Sequence, residues 1–252
     1  MSEAYVSIII PCYNAAKTIE KAIESVQKQS HPHWELLVVN DGSTDESQGI
    51  LERVAREDSR IRLVKFVGRQ GVSKARNVGL SHAAYRYAAF LDADDLWRRE
   101  KLAESLTLLR EKEAAIVFHS YQLMDAKGEL LPQIIRVPES ITYPAILKRN
   151  LIAVSTAMVD REKTGTINFP DKRHEDFCLW IKLLKEGHAA RGIDEALTLI
   201  RISPDSLSGN KLRSALWTWQ VYRQEVKLGL ARSAYYFLHY CYYGIRKYLL
   251  KI

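Results

Sequence analysis

The segment Tyr-Val-Ser-Ile-Ile-Ile at positions 5 to 10 is apolar, rich in β-branched residues and ended by Pro11, a pattern typical of a buried strand. A second such run, residues 34 to 39, is followed by Asn-Asp-Gly-Ser. Between the two runs, apolar residues recur at i, i+3, i+4 and i+7 over residues 19 to 26, which predicts a helix lying on a sheet. The start of the chain therefore predicts one strand–helix–strand unit of a parallel sheet.

The alternation of strands and helices continues to about residue 115. Ser43 and Glu46 have the spacing of a capping box ahead of a helix that ends near residue 58. Further elements follow in turn: strands at 61–66 and 87–91, and helices at 71–83 and 102–109. This order predicts an α/β fold, a mixed and mainly parallel sheet flanked by helices.

The pattern is weaker after residue 115. It predicts strands at 116–123, 154–159 and 197–202, and a helix at 175–186. Because no repeat, low-complexity tract or linker interrupts residues 1–208, we predict a single domain there and a helical tail over residues 209–252.

The composition is that of a globular protein: 252 residues, 47% hydrophobic and 27% charged. The cysteines, Cys12, Cys178 and Cys241, are far apart and lack CxxC or CxxH spacing, so neither a disulfide framework nor a zinc site is predicted. The N-terminus has no basic segment followed by an apolar one. We therefore expect no secretory signal and a cytoplasmic location.

The basic charge is concentrated in the tail. The net charge is +7, and from residue 211 onward eight basic residues face one acidic residue, Glu225, so the rest of the chain is neutral. Ten aromatic residues lie among these bases between positions 217 and 248. The longest nearly apolar stretch, residues 235–245, is much shorter than the roughly 20 residues that span a bilayer.

These features favour a tail that lies on the cytoplasmic face of a membrane, with aromatic rings among the headgroups and bases near anionic lipid. Two alternatives remain open, because aromatic residues also dominate protein interfaces: the helices cover the body of the protein, or they form a homodimer interface. Nucleic acid is not predicted as a partner, since no recognised binding motif accompanies the bases.

Polar residues end three of the predicted parallel strands, where the ligand crevice of an open α/β sheet lies. The clusters are Pro-Cys-Tyr-Asn at 11–14, Asn-Asp-Gly-Ser-Thr-Asp at 40–45 and Asp-Ala-Asp-Asp at 92–95. Singly, each has an ordinary explanation, since Asp-Gly-Ser forms turns and Asp94 or Asp95 can cap a helix. Together, however, neighbouring carboxylates repel one another unless a cation lies between them, and D-x-D oxygens suit Mg²⁺ or Mn²⁺ on a diphosphate.

The two common phosphate-binding loops are missing from the sequence. No G-x-G-x-x-G follows the first strand, and no G-x-x-x-x-G-K-[ST] occurs anywhere. Dinucleotide redox chemistry and P-loop chemistry are therefore not predicted, which leaves a metal to hold the phosphates.

Five segments, in this order, resemble the motifs of glycosyltransferase family 2. They are Val-Ser-Ile-Ile-Ile-Pro-Cys-Tyr-Asn at 6–14, Val-Asn-Asp-Gly-Ser-Thr-Asp at 39–45, Gly-Val-Ser-Lys-Ala-Arg-Asn-Val-Gly at 71–79, Phe-Leu-Asp-Ala-Asp-Asp-Leu-Trp at 90–97 and His-Glu-Asp-Phe-Cys-Leu-Trp at 174–180. The resemblance extends over about residues 5–208. It implies the GT-A fold, a nucleotide-diphosphate sugar donor with UDP favoured, a Mn²⁺ or Mg²⁺ cofactor, and inversion at the anomeric carbon. It also implies a glycan or polyprenyl-diphosphate-linked acceptor, as for the bacterial enzymes that build O-antigen, capsule or teichuronic acid.

The resemblance also implies roles for individual residues. Asp41 would contact the base, Arg76 would help to hold the nucleotide, Asp92 would lie near the ribose, Asp94 would bind the metal and Asp176 would be the catalytic base. Glu175 is the adjacent alternative base, and helix capping is the alternative role for Asp176. The remaining donor-site candidates are Pro11, Tyr13, Asn14, Lys74 and Ala93.

The sequence departs from the family pattern at one position. Many relatives have a histidine two residues after the arginine of the last strand, whereas Ser203 follows Arg201 here. The metal would then be held incompletely by protein groups, or with help from His174 or water.

Competing functions are less consistent with the motifs. A nucleotidyltransferase requires a glycine-rich basic loop after the first strand, where this chain has Asn14-Ala-Ala-Lys. A haloacid-dehalogenase-type phosphatase has its nucleophilic D-x-D after the first strand, whereas Asp92 follows the fourth. A scaffold or carbohydrate-binding protein of a polysaccharide assembly remains open as a non-catalytic alternative.

Overall fold

The computed structural model describes residues 4–202 and 211–249, with the side chains of 4–202 and 214–244. In these residues ten strands form one mixed sheet. The strands are β1 (Val6–Cys12), β2 (Trp34–Asn40), β3 (Ile61–Val64), β4 (Tyr87–Phe90), β5 (Leu96–Trp97), β6 (Ile116–Met124), β7 (Leu130–Ile135), β8 (Ser140–Ile141), β9 (Met158–Asp160) and β10 (Ala190–Arg201). The helices are α1 (Ile19–Gln27), α2 (Ser47–Glu57), α3 (Val72–His82), α4 (Lys101–Glu111), α5 (Tyr143–Lys148), α6 (Arg161–Thr164), α7 (Glu175–Lys185), α8 (Lys211–Gln220) and α9 (Leu230–Leu249).

The sheet has a parallel half and a mixed half. The strand order is β3-β2-β1-β4-β9-β6-β10-β5, with β7 beside β6 and β8 beside β10. Strands β3, β2, β1 and β4 are parallel, whereas β9 runs antiparallel to both β4 and β6. The predicted α/β class with a mixed, mainly parallel sheet and flanking helices is confirmed.

Strand β1 is buried on both faces, as its apolar run predicts. Ile8 and Ile10 belong to the core cluster under α1 and α4, and Ile9 belongs to the cluster on the opposite face, with α7. This alternation follows the two-residue period of a strand. Pro11 does not end the strand, which continues to Cys12 beside Asn40 of β2.

Two local predictions are wrong. Helix α2 begins at Ser47, and Ser43 donates its hydroxyl to Asn40 Oδ1 instead of capping the helix (2.6 Å). The predicted strand at 154–159 is a 3-10 turn, Val154–Thr156, followed by the short strand β9. Both segments make long-range contacts that a local pattern does not encode. All three cysteines are free.

The C-terminal helices pack on the body through an apolar face. Tyr222, in a π-helical segment between α8 and α9 (Val221–Glu225), is fully buried with Phe177 and Trp180 of α7, and its hydroxyl donates to the Leu147 carbonyl. The predicted helical character of the tail is confirmed over residues 211–249, and part of it covers the body. Within the described residues, no helix combines the length and the hydrophobicity needed to span a bilayer.

Candidate active site

The loops that follow β1, β2 and β4 meet at one edge of the sheet because these strands are adjacent and parallel. Asn14 joins the first two loops: its backbone N–H donates to Ser43 Oγ (3.0 Å), and its Oδ1 accepts from the Thr44 N–H (2.8 Å). Its backbone is left-handed, with φ 47°, a conformation that asparagine tolerates. In this structure Asn14 holds the loops together, and its predicted contact with the donor remains a prediction.

Asp41 orients the loop that precedes α3. It is buried, and its two carboxylate oxygens accept the backbone N–H groups of Gln70 (2.6 Å) and Gly71 (2.9 Å). The same loop contains Arg69, whose guanidinium lies 4.2 Å from the exposed ring of Tyr13. Tyr13 and Arg69 thus form a cationic and aromatic pair beside the Asp41 loop, suited to stacking with a flat base.

Three other donor-site candidates have different surroundings. Pro11 and Ala93 are buried, so they shape the backbone of the two strand ends. Lys74 is half-exposed on α3 and forms an ion pair with Asp171 (3.3 Å). Their roles in binding the donor stay predictions.

Arg76 is the centre of the site. It is 3% exposed, and its two terminal nitrogens donate to Asp92 Oδ1 and to Glu175 Oε1, each at 2.6 Å. The pKa of the guanidinium is raised by these two carboxylates although burial opposes its charge. One side chain therefore joins the end of β4 to the start of α7, which brings the predicted nucleotide-side and base-side residues together.

The segment after β4 gathers three carboxylates. The Asp92 N–H donates to Ser155 Oγ (3.1 Å), and the buried Asp95 accepts the N–H of Arg201 through Oδ1 (2.9 Å). The pKa of Asp94 is raised, first because the surrounding protein displaces water from its carboxyl and second because of the charge on Asp92. Neither Asp94 nor Asp95 caps a helix, since α4 begins at Lys101 with Glu100 at its N-cap.

This donor set fits a divalent cation. Desolvation and then the charge on Asp92 raise the pKa of Asp94; a bound cation would offset the second of these, and carboxylate oxygens are the ligands that Mg²⁺ and Mn²⁺ prefer. Within the described residues, no group of three or more acidic, histidine or cysteine side chains encloses a metal site by itself. That arrangement agrees with a cation held by one or two carboxylates together with substrate phosphates and water.

Asp176 lies in the first turn of α7. Its Oδ1 accepts the Phe177 N–H (2.7 Å), and Asn150 Nδ2 lies 3.4 Å from its Oδ2. Burial, followed by the charge on Glu175, raises the pKa of Asp176 to about 7. A carboxylate with such a pKa can take a proton near neutral pH, as a general base must. Glu175 is instead held by Arg76, so Asp176 is the less constrained of the two predicted bases.

His174, the predicted auxiliary metal ligand, faces the C-terminal helices. Its backbone is left-handed, with φ 56°, and its Nε2 lies 3.2 Å from both the carbonyl and the hydroxyl oxygen of Ser214. Its ring also meets Trp217 edge to face at 5.6 Å. The structure therefore joins His174 to the tail and does not bring it to the carboxylates after β4. Ser203 lies outside the described residues.

Sequence reasoning missed several residues that support the site. Ser155 binds the Asp92 backbone, Asn150 approaches Asp176, and Arg69 lies over Tyr13. None of the three belongs to a motif with fixed spacing; Ser155 lies in a 3-10 turn, and Asn150 and Arg69 lie in loops. The only sequence signal for these three residues is that they lie between or beside the ordered family motifs.

Comparison with known proteins identifies the family. The sequence model of Glycosyl transferase family 2 matches residues 7–164. The chain is 41% identical over 243 residues to a Bacillus subtilis protein named as a teichuronic acid biosynthesis glycosyltransferase, TuaG, covering 96% of each chain. It is 34% identical to the Escherichia coli UDP-Glc:alpha-D-GlcNAc-diphosphoundecaprenol beta-1,3-glucosyltransferase WfgD, covering 98% of this chain and 96% of that one.

Solved structures agree on the fold. S. aureus TarS 1–349 in complex with UDP-GlcNAc superposes with a TM-score of 0.71 at 20% identity, covering 94% of this chain and 71% of that one. The mannosyltransferase PcManGT from Pyrobaculum calidifontis, in complex with GDP-Man and Mn²⁺, gives a TM-score of 0.68 at 21% identity, covering 89% of this chain and 64% of that one. With its GT-A fold and the sequence match over residues 7–164, the chain belongs to glycosyltransferase family 2.

Proposed function

We propose that this glycosyltransferase moves a sugar from a UDP-sugar to a glycan or lipid-linked acceptor during synthesis of a cell-envelope polysaccharide. The main support is the Arg76 bridge, which joins Asp92 of the D-x-D motif to Glu175, the neighbour of Asp176. The names of the two relatives, one for teichuronic acid and one for a diphosphoundecaprenol-linked acceptor, support the acceptor class.

The chain's own residues supply binding and proton transfer. We propose that Tyr13, just after β1, and Arg69, on the loop that Asp41 holds, stack with the base. Asp176 removes the proton of the acceptor hydroxyl while that oxygen attacks the anomeric carbon from the face opposite the diphosphate. The bond to the diphosphate breaks as the new glycosidic bond forms, so a single displacement inverts the configuration.

Asp94 is the proposed ligand of a Mn²⁺ or Mg²⁺ ion, with Asp92 beside it. When bound, such an ion neutralises charge on the leaving diphosphate, an effect worth several kcal/mol.

A membrane surface is the proposed location. Tyr235, Leu238 and Tyr242 are exposed on α9 at 49, 70 and 56% and lie on one face of the helix through i, i+3, i+7 spacing. Arg232 is exposed on the same helix, and Lys148 lies 5.6 Å from the Tyr235 ring. This exposed apolar and basic face of α9 suits shallow insertion into the anionic cytoplasmic leaflet, within reach of a lipid-linked acceptor.

The experiment that tests the function is release of nucleoside diphosphate from a panel of nucleotide sugars, with a polyprenyl-diphosphate-linked sugar as acceptor. We expect turnover of one donor that is lost with EDTA, restored by Mn²⁺, and reduced at least about a hundredfold in Asp94→Ala, since metal ions contribute several kcal/mol. Folded protein that binds no nucleotide and transfers no sugar would favour the non-catalytic scaffold instead.

A further inference from the structure

Three consecutive residues immediately before the catalytic pair each contact the C-terminal segment. Lys172 forms an ion pair with Glu225, Arg173 lies 5.2 Å from the Trp217 ring, and the His174 Nε2 lies 3.2 Å from Ser214. The three partners lie on α8 and on the π-helical segment that follows it. The start of α7 is therefore attached to the tail by a charge pair, a cation–π contact and a hydrogen bond.

The contacts lie at the point where the backbone changes direction. His174 is the N-cap of α7 and has a left-handed backbone, which costs energy for a residue other than glycine. Such a conformation persists when its surroundings hold it, and the surroundings of His174 are Ser214 and Trp217. Glu175 and Asp176 follow directly, so the angle of their helix depends on this junction.

The tail side of the junction is itself anchored. Ser214 is 9% exposed, and its hydroxyl lies 3.3 Å from the Tyr240 hydroxyl on α9. Val221 and Tyr222, about two helical turns further along the chain, are buried against the body. The junction thus connects α7 to both C-terminal helices.

We propose that the C-terminal segment positions the catalytic acids, with Glu225, Trp217 and Ser214 acting as positioning residues through Lys172, Arg173 and His174. This inference rests on the proposed function in that Asp176 is the base. A displacement of about 1 Å of a reacting group can lower a rate as much as a hundredfold, so even a modest tilt of α7 affects turnover. Donor binding at the Asp41 loop makes none of these contacts and is expected to be independent of them.

The test is a charge swap between Lys172 and Glu225, whose side chains are 53% and 27% exposed. We expect Lys172→Glu and Glu225→Lys each to lower kcat about three- to tenfold, as a misplaced group does, with the Kd for UDP within about twofold. The double variant, which restores an ion pair, is expected to recover most of the wild-type kcat. The matched control is Lys182→Gln, which removes the 3.9 Å pair with Glu186 at the other end of α7 and is expected to leave kcat unchanged.

Hydrogen exchange gives a second readout that needs no turnover. Amides at 175–178 are expected to exchange several-fold faster in each single variant and at the wild-type rate in the double variant. Single variants with unchanged kcat and exchange would overturn the proposal, as would a double variant no better than either single one. A wild-type protein that transfers no sugar contradicts the proposed function alone, because the exchange data still decide whether the tail holds α7.

Discussion

At the scale of single residues, the site is organised around one buried cation that lies between two carboxylates. Arg76 has opposite charges on both sides, at Asp92 and Glu175, and these contacts offset the cost of its burial. Asp176 has no such cation at hydrogen-bonding distance among the described residues, and its pKa is raised to about 7. The two acidic neighbours on α7 thus have different surroundings, which is why we propose Asp176, and not Glu175, as the base.

The pH dependence of transfer follows from the raised pKa of Asp176. A base must be deprotonated, so kcat is expected to rise with pH through about 7 and then become constant. The charge on Glu175 contributes to the raised pKa, so Glu175→Gln should move the midpoint of the kcat profile to lower pH. Complete loss of activity in Glu175→Gln, with Asp176→Asn still active, would instead identify Glu175 as the base.

Lys101 is a fully buried lysine whose contacts compensate only weakly for the burial of its charge. Its Nζ lies 3.4 Å from the Ala157 carbonyl and 4.1 Å from the Trp97 ring, and burial lowers its pKa well below 10.5. Because the unfolded chain then binds a proton more tightly than the fold does, the lysine lowers stability at neutral pH, and this cost disappears as pH approaches 10.5.

We therefore expect Lys101→Met to raise the free energy of unfolding by about 1–3 kcal/mol at pH 7.5, and by less at pH 10. Urea denaturation at the two pH values measures the difference. A methionine variant that is less stable at both pH values would show that the lysine's contacts outweigh its desolvation.

At the scale of elements, helix α3 lies unusually close to β1. A Cβ on Gly79 would be 2.5 Å from Ile9 Cγ2, a β-branched side chain fixed in the core. Gly79→Ala is expected to destabilise the fold by about 1–3 kcal/mol because α3 must move away from the sheet. The control is Gly49→Ala on the exposed face of α2, where nothing lies within 4 Å and alanine should stabilise by up to about 1 kcal/mol. Equal melting temperatures for the two variants would contradict this packing.

The sequence predicts the parallel half of the sheet well and the remainder less well. Strands β1 to β4 and the helices between them have strong local periodicity, and the crevice rule places Asp41, Asp92 and Asp94 at one edge. The short strands β7 and β8 depend on pairing with β6 and β10, which local periodicity does not encode, and the 3-10 turn at Val154–Thr156 lies where the sequence pattern predicts a strand. The same limit applies to the site, where Ser155 and Asn150 arrive from such segments.

At the scale of the whole molecule, the tail has two faces with different surroundings. Val221, Tyr222 and Val226 are buried on the body, whereas Tyr235, Leu238 and Tyr242 are exposed. From the sequence alone, the tail could either cover the body of the protein or contact a membrane. The two faces of the tail allow both, since one face covers the body while the other remains available to a lipid surface.

Vesicle binding tests the exposed face. The protein is expected to co-sediment with anionic vesicles, less at high salt, because salt screens the basic side chains. Leu238→Glu should weaken this binding about tenfold or more, given the roughly 1.5–3 kcal/mol that burial of a leucine contributes. Leu130→Glu, at an exposed leucine on β7, is the control and should bind as wild type. Equal vesicle binding by the two variants would show that α9 does not form the membrane contact.

The role of Asp176 as the base is tested by comparing turnover and donor binding in Asp176→Asn with those of the wild type at pH 8. We expect kcat to fall at least about a hundredfold, because general-base catalysis contributes about 10² to 10⁴ to a rate. The Kd for the UDP-sugar is expected to change less than about threefold. The melting temperature of the variant should be no lower than that of the wild type, because the substitution removes a carboxylate whose ionisation the fold disfavours. Sugar transfer by Asp176→Asn at the wild-type rate would contradict the proposal that Asp176 is the base.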